Sequence, residues 1–350
     1  MSKPRFTDLD GLQAALLDAR ASLTTQVPVR LAKALTAETK GLGEGILAIL
    51  ASFDGSIQYS YGTIGRSDDL CVLFAFTYTP GTRIAHADQT GSTAGLSAAE
   101  RQVYDTAKAW IISDACPKSN SLLTERAIHD WICNQTRYWD DPANTSGAAL
   151  QDYQTAIGLF NDKRGNCMAY ADSFLMLARM AGLDCDTIIG EGFNESGKWI
   201  GHAWNMVRID GQWLMLDATY DDLNSEPFTV SYPYFNVDAR TISADHRWKA
   251  EAMYRPVESQ PSALYAYGNP LFPELRRVAS ADGFRDELRT ALTDGGAREL
   301  RFMLDGFSVS TEDISEWIKG WRPPNNWLML HQELGANQYW AFQQMDRDNN

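Results

Sequence analysis

The sequence predicts an α+β chain in three parts. A central unit carries a cysteine-bearing helix next to an antiparallel hairpin that bears a histidine and an aspartate. A small α+β module lies on each side of it. Three observations carry this prediction. A helical apolar stripe starts at Cys167. Two strand-like runs flank the turn dipeptide Asp210-Gly211. The two ends of the chain run through the same order of helix and strand patterns.

The first module is expected over residues 1–84. In it Leu9, Leu12, Leu16 and Leu17 recur at helical spacing, which places them on one face of a helix. Val27, Val29 and Leu31 alternate as a strand does, and a second helix pattern spans residues 37–53. Ile57–Tyr61 and Leu70–Tyr78 read as strands joined by the polar stretch 65–69. Residues 85–98, AHADQTGSTAGLSA, are small, polar and glycine-containing, so a linker is expected there. The central unit is expected over 99–255 and opens with helix patterns at 99–112 and 122–136. Pro256, Pro261, Pro270 and Pro273 mark its far side. The last module, 275–350, starts a helix at Asp282-Gly283-Phe284, echoing Asp10-Gly11-Leu12. Leu300, Phe302 and Leu304 then alternate, a helix pattern covers 311–318, and 327–331 with 338–342 read as a hairpin. The shared order suggests one module present twice; two unrelated segments with one pattern are the alternative.

Composition removes several function classes. The chain has 350 residues, 44% hydrophobic and 22% charged, which is ordinary for a globular protein. Lys and Arg number 31 against 45 Asp and Glu, a net charge of −14. A general nucleic-acid binder needs a basic face, and so does a protein that docks on an anionic membrane. No run of Lys or Arg supplies one, so neither partner is expected. No segment has the roughly 18 consecutive apolar residues of a spanning helix. Residues 1–12 lack the apolar run of a secretory signal, so a cytoplasmic location is expected. The five cysteines (Cys71, Cys116, Cys133, Cys167, Cys185) are odd in number, irregularly spaced and without a CxxC pair. That argues against a disulfide framework. No two histidines stand at a zinc-ligand spacing, and no metal or cofactor is expected.

The chemistry concentrates in Arg164 to Asp222. Gly165-Asn166 breaks the chain, and Met168, Ala171, Phe174, Leu175 and Ala178 then form a stripe that ends at Gly182. Cys167 therefore sits at a helix N-terminus, where the dipole and unbonded N–H groups favour a thiolate and can bind an oxyanion. Pairing about Asp210-Gly211 sets residue 209 opposite 212. His202 and Asp217 then share a face, diagonally adjacent and within hydrogen-bond reach. A longer turn or a bulge would reverse the parity. Cys167, His202 and Asp217 thus form a candidate nucleophile, base and orienter.

At these residues the sequence resembles the transglutaminase-like superfamily of cysteine proteases and acyltransferases. The matching pieces are Arg164-Gly165-Asn166-Cys167, Tyr170-Ala171, Phe174, Ala181-Gly182-Leu183, Gly190, His202-Ala203-Trp204-Asn205, Asp210-Gly211-Gln212-Trp213 and Leu216 through Asp222. Flanks resembling its bacterial branch are Ile128-His129-Asp130-Trp131, Asn134, Tyr138-Trp139-Asp140, Tyr234-Phe235-Asn236-Val237 and Asp245-His246-Arg247-Trp248. The resemblance covers about residues 100–250. It implies a papain-like core: the Cys helix packed on an antiparallel sheet that carries His and Asp. Two positions depart from the bacterial pattern. Ile157 stands where relatives have Tyr, and Ala169 where they often have Gly. The first leaves a side-chain oxyanion donor unassigned among Tyr153, Gln154 and Trp139. Acidic clusters like the calcium sites of animal transglutaminases are not found.

The other cysteines read as packing residues. His129, His246 and Asp222 read as structural hydrogen-bonding groups. Trp204 and Trp213 read as core or cleft wall, and Trp317, Trp321, Trp327 and Trp340 as core. Three functions follow, in order. The first is hydrolysis of peptide or side-chain amides, with a peptide or protein as substrate. The second is transfer of a glutamine acyl group to an amine, which cross-links proteins. The third is a non-catalytic scaffold whose end modules recruit a protein partner.

Overall fold

In the first region Arg5–Phe6 (β1) leads into the helix Leu9–Ala21 (α1). Asp8 caps that helix, its carboxylate accepting the Gly11 N–H at 2.8 Å. Leu12 and Leu16 are fully buried one turn apart, as their spacing predicts. Gln26–Leu31 (β2) follows, then Lys33–Thr36 (α2), Thr39–Ala51 (α3), Ile57–Arg66 (β3) and Leu70–Tyr78 (β4). The sheet order is β1-β2-β4-β3, with β1 parallel to β2 and the rest antiparallel. Its core gathers Leu12, Leu16, Leu50, Phe53, Phe74 and Phe76 between helices and sheet. The computed structural model describes residues 3–36, 39–51, 53–66, 69–139, 152–194, 196–223, 230–248, 269, 271–293, 298–334 and 337–345. The expectations placed on residues 37, 67 and 68, on Asp140, and on Arg255, Pro256, Pro261 and Pro270 lie outside them.

The linker expected at 85–98 is corrected in its first part, while residues 91–97 do connect two helices. Pro80–Thr90 is a helix (α4), with Thr79 as N-cap, Pro at its first turn and Gly91 at φ 68° closing it. Ile84 and Ala85 are fully buried in the central core. Small size, which suggested a loop, is what lets this helix approach its neighbour closely. Ala98–Ile111 (α5) opens with a capping box of Ser97 and Glu100. Next come Ser121–Gln135 (α6), Arg137–Tyr138 (β5), Ala156–Asp162 (α7), Arg164–Gly165 (β6) and Cys167–Met180 (α8). The last is buried on nearly every side and ends at Gly182, φ 88°.

A second sheet then forms from Cys185–Phe193 (β7), Trp199–Ile209 (β8) and Gln212–Leu216 (β9). Ala218–Asp221 (α9) and Ala239–Ile242 (α10) precede its edge strand His246–Arg247 (β10). The order is β10-β7-β8-β9, antiparallel throughout. Asp210 and Gly211, at φ 48° and 86°, make a two-residue turn of the kind that matches strand twist. Ile209 pairs with Gln212 and Asn205 with Leu216, so the register runs without a bulge. The second strand of this hairpin stops at Leu216. There the Asp217 carboxylate takes the N–H groups of Thr219 and Tyr220 and turns the chain into α9.

The last region runs Leu275–Val278 (β11), Ala281–Thr293 (α11), Glu299–Leu304 (β12), Thr311–Trp321 (α12), Trp327–Leu334 (β13) and Asn337–Gln344 (β14). Its sheet order is β11-β12-β14-β13, with β11 parallel to β12. That is the topology of the first sheet, strand for strand. Trp340 is buried here, and Trp317, Trp321 and Trp327 pack against the same core. Both end regions are tied to the centre. Arg20 and Arg179 share Asp54 at 2.6 and 3.2 Å, and Arg179 also meets Asp186 at 2.9 Å. Arg301 donates to the Val230 carbonyl at 2.9 Å.

Candidate active site

Cys167 is the first residue of α8, with Asn166 as its N-cap. The Asn166 side chain and carbonyl accept the Ala169 N–H at 3.3 and 3.0 Å. The helix leaves the Cys167 N–H without an intrahelical partner, as it must at this position. His202 stands on β8 opposite Gly190 of β7, and Asp217 lies just beyond the end of β9. His202 Nε2 is 2.6 Å from Asp217 Oδ2. With Nε2 committed to the carboxylate, the other ring nitrogen is left for a nucleophile, and Cys167 is near enough to favour the charged form of this ring. Cys167 is 8% exposed, His202 5% and Asp217 1%. Trp204 stacks beside His202 at 5.9 Å between ring centres and Tyr220 flanks it at 4.7 Å. Gly192 is required by this crowding: a Cβ there would lie 2.4 Å from the Tyr220 hydroxyl and 3.2 Å from the His202 ring.

The charges follow from these contacts. Burial is the largest influence on His202 and opposes its protonation. The charge and hydrogen bond of Asp217 outweigh burial and push the imidazole up to about 10. Burial likewise opposes the Asp217 anion, but His202 and His246 together hold that carboxyl well below the usual range. The pair is therefore an imidazolium beside a carboxylate.

The sequence did not single out His246 for the site, yet its Nε2 is 3.0 Å from the same Asp217 oxygen. The motif Asp245-His246 was the available signal. His129 lies elsewhere, wholly buried between Asp130 at 3.0 Å and Asp221 at 3.1 Å, with Cys133 at 3.9 Å. Asp222 accepts the Tyr170 hydroxyl. Of the three candidate oxyanion donors, Tyr153 gives its hydroxyl to the Trp139 carbonyl and Gln154 is exposed. The Trp139 ring lies 3.7 Å from the Arg164 guanidinium carbon. Among the described residues, His202, Asp217 and His246 are the one group close enough to suggest a metal. A tetrahedral ion at about 2.0–2.1 Å from each ligand would hold ligand atoms roughly 3.3 Å apart. The 2.6 and 3.0 Å contacts are hydrogen-bond spacings instead. All five cysteines are unbridged. No helix among the described residues is long and apolar enough to cross a membrane.

Comparison with known proteins bears on the same stretch. The transglutaminase-like superfamily model matches residues 112–218, which include Cys167, His202 and Asp217. Kyphoscoliosis peptidase of Mus musculus is 30% identical over 152 residues, which is 39% of this chain and 22% of that protein. The Homo sapiens protein of that name is 29% identical over 152 residues, with the same coverage. The chain thus spans under a quarter of the length of these relatives. A crystal structure of a TGase aligns at TM-score 0.31 and 12% identity, over 59% of this chain and 54% of that one. The periplasmic domain of TgpA from Pseudomonas aeruginosa aligns at TM-score 0.26 and 16% identity, over 48% and 66%. What the comparisons show for this chain is a match of its central segment, residues 112–218, to the transglutaminase-like superfamily.

Proposed function

We propose that the protein carries out cysteine-dependent acyl chemistry on peptide or side-chain amides, and that the outcome is hydrolysis. The observation that carries this reading is the 2.6 Å His202–Asp217 contact, on a ring whose charged form Cys167, at a helix start, also favours. The Cys167 sulfur attacks the amide carbonyl carbon while His202 holds the thiol proton. The carbonyl oxygen gains negative charge, and the Cys167 backbone N–H is the donor at hand for it. His202 then gives its proton to the leaving amine, and a thioester to Cys167 remains. Water attacks the thioester with His202 as base, releasing the acid and restoring the thiol. Asp217 keeps the imidazole in one orientation and stabilises its charged form. The name of the mouse relative, a peptidase, agrees with hydrolysis.

A second reading, transfer to an amine, differs only in the acceptor of the acyl group. The low exposure of both Cys167 and His202 favours it, because limited water access protects a thioester. Digestion of a peptide mixture read by mass spectrometry is the test. Products are expected from the native chain and none above background from Cys167→Ala. Equal product from the variant contradicts the proposal. A labelled amine that enters glutamine peptides in place of hydrolysis would select the second reading.

A further inference from the structure

Asp217 accepts one hydrogen bond that a Cys–His–Asp set does not call for. Its Oδ2, already bonded to His202, lies 3.0 Å from Nε2 of His246, and Nδ1 of that ring lies 2.6 Å from Oδ1 of Asp245. The other Asp245 oxygen accepts the Tyr234 hydroxyl at 2.5 Å. The His246 side chain is wholly buried. Both of its ring nitrogens thus face carboxylate oxygens. A neutral imidazole has one donor and one acceptor nitrogen, and an acceptor nitrogen against a carboxylate oxygen is repelled. Only the imidazolium donates from both.

We propose that His246, held as an imidazolium between Asp217 and Asp245, is a positioning residue for Cys167 and His202: it anchors the Asp217 carboxylate and offsets part of its charge. The inference rests on the acyl-chemistry reading of the site. The two imidazole rings are 5.3 Å apart and draw on one carboxylate oxygen. A like charge so near disfavours the charged form of His202. Without His246, Asp217 would hold the proton on His202 more tightly. A general acid works best when its proton affinity lies near the working pH. The titratable groups that face this pair are Cys167 from α8, Asp217 and Tyr220 at α9, Tyr234 before α10, and Asp245. Asp221 acts on Asp217 from behind. Trp204 and Trp248 complete the uncharged wall. Burial opposes the charge on His246, and its hydrogen bonds to Asp217 and Asp245 more than restore it.

The pH dependence of Cys167 alkylation by iodoacetamide tests this without a substrate. Loss of the His202 proton gives the profile an alkaline step. His246→Gln keeps an N–H near Asp217 and removes the charge. The step is expected to move upward by about one pH unit or more. A step that stays in place in a variant with native circular dichroism overturns the proposal. The native protein gives a second reading that needs no variant. With nitrogen-15-labelled histidine, both ring nitrogens of His246 should be protonated at neutral pH. A single protonated nitrogen there overturns the proposal. Failure of the underlying reading looks different. In that case Cys167 of the native chain alkylates no faster than Cys71, a partly exposed thiol, and both ideas fall together.

Discussion

Four donors converge on the two oxygens of Asp217: the His202 and His246 rings on one, and the N–H groups of Thr219 and Tyr220 on the other. A carboxylate can accept all four, whereas an amide offers one oxygen and adds two donors. Asp217→Asn is therefore expected to cut kcat/KM by about 10³- to 10⁴-fold, on the scale of other triads that lose their orienting carboxylate. Steady-state kinetics with the substrate found by peptide digestion would check it. The His202 charge also enters stability. Its folded value of about 10 lies above its ordinary 6.5. Its contribution is thus complete below the ordinary value and fades as pH rises through the folded one. The unfolding free energy of the native chain over His202→Gln, measured in urea, should shrink from neutral to strongly alkaline pH. A constant difference contradicts the assignment.

At the scale of elements, the site depends on where α8 begins and how β7 approaches β8. Asn166→Ala removes the cap and should cost about 1 kcal/mol of stability in a denaturant titration. Gly192→Ala should act differently, since the added carbon meets the Tyr220 hydroxyl and the His202 ring. Alkylation of Cys167 should slow while the melting temperature falls only by a few degrees. The sequence made much of this legible. The stripe after Cys167 and the Asp210-Gly211 turn are local signals, and local physics formed both as read. Periodicity likewise located Leu70–Tyr78 to the residue. What escaped it depends on distant partners. The strands β1 and β11 are too short to show alternation and exist because β2 and β12 offer a parallel edge. Helix α4 looks like a loop until α8 is there to bury Ile84 and Ala85. His246 joins the site through its contact with Asp217, from the far side of two connecting segments.

Across the whole molecule, two regions of one topology flank the central sheet and helix, and buried charge holds the first of them in place. Asp54 is buried between Arg20 and Arg179. Burial works against its charge, and the two guanidinium groups hold it below the usual carboxylate range. The stabilisation is present above the ordinary carboxyl range and disappears as pH falls through the lower folded value. Asp54→Ala leaves both arginines short of a counter-charge and should destabilise by about 3 kcal/mol. Differential scanning calorimetry against the native chain would measure this. The account as a whole turns on Cys167 becoming acylated. The most direct measurement is the intact mass of the protein after brief exposure to p-nitrophenyl acetate. The native chain should gain one acetyl group, mapped to Cys167. His202→Gln should gain it far more slowly, and Cys167→Ala not at all. An acetyl group that appears at the same rate in all three proteins, or on another residue, would contradict the account.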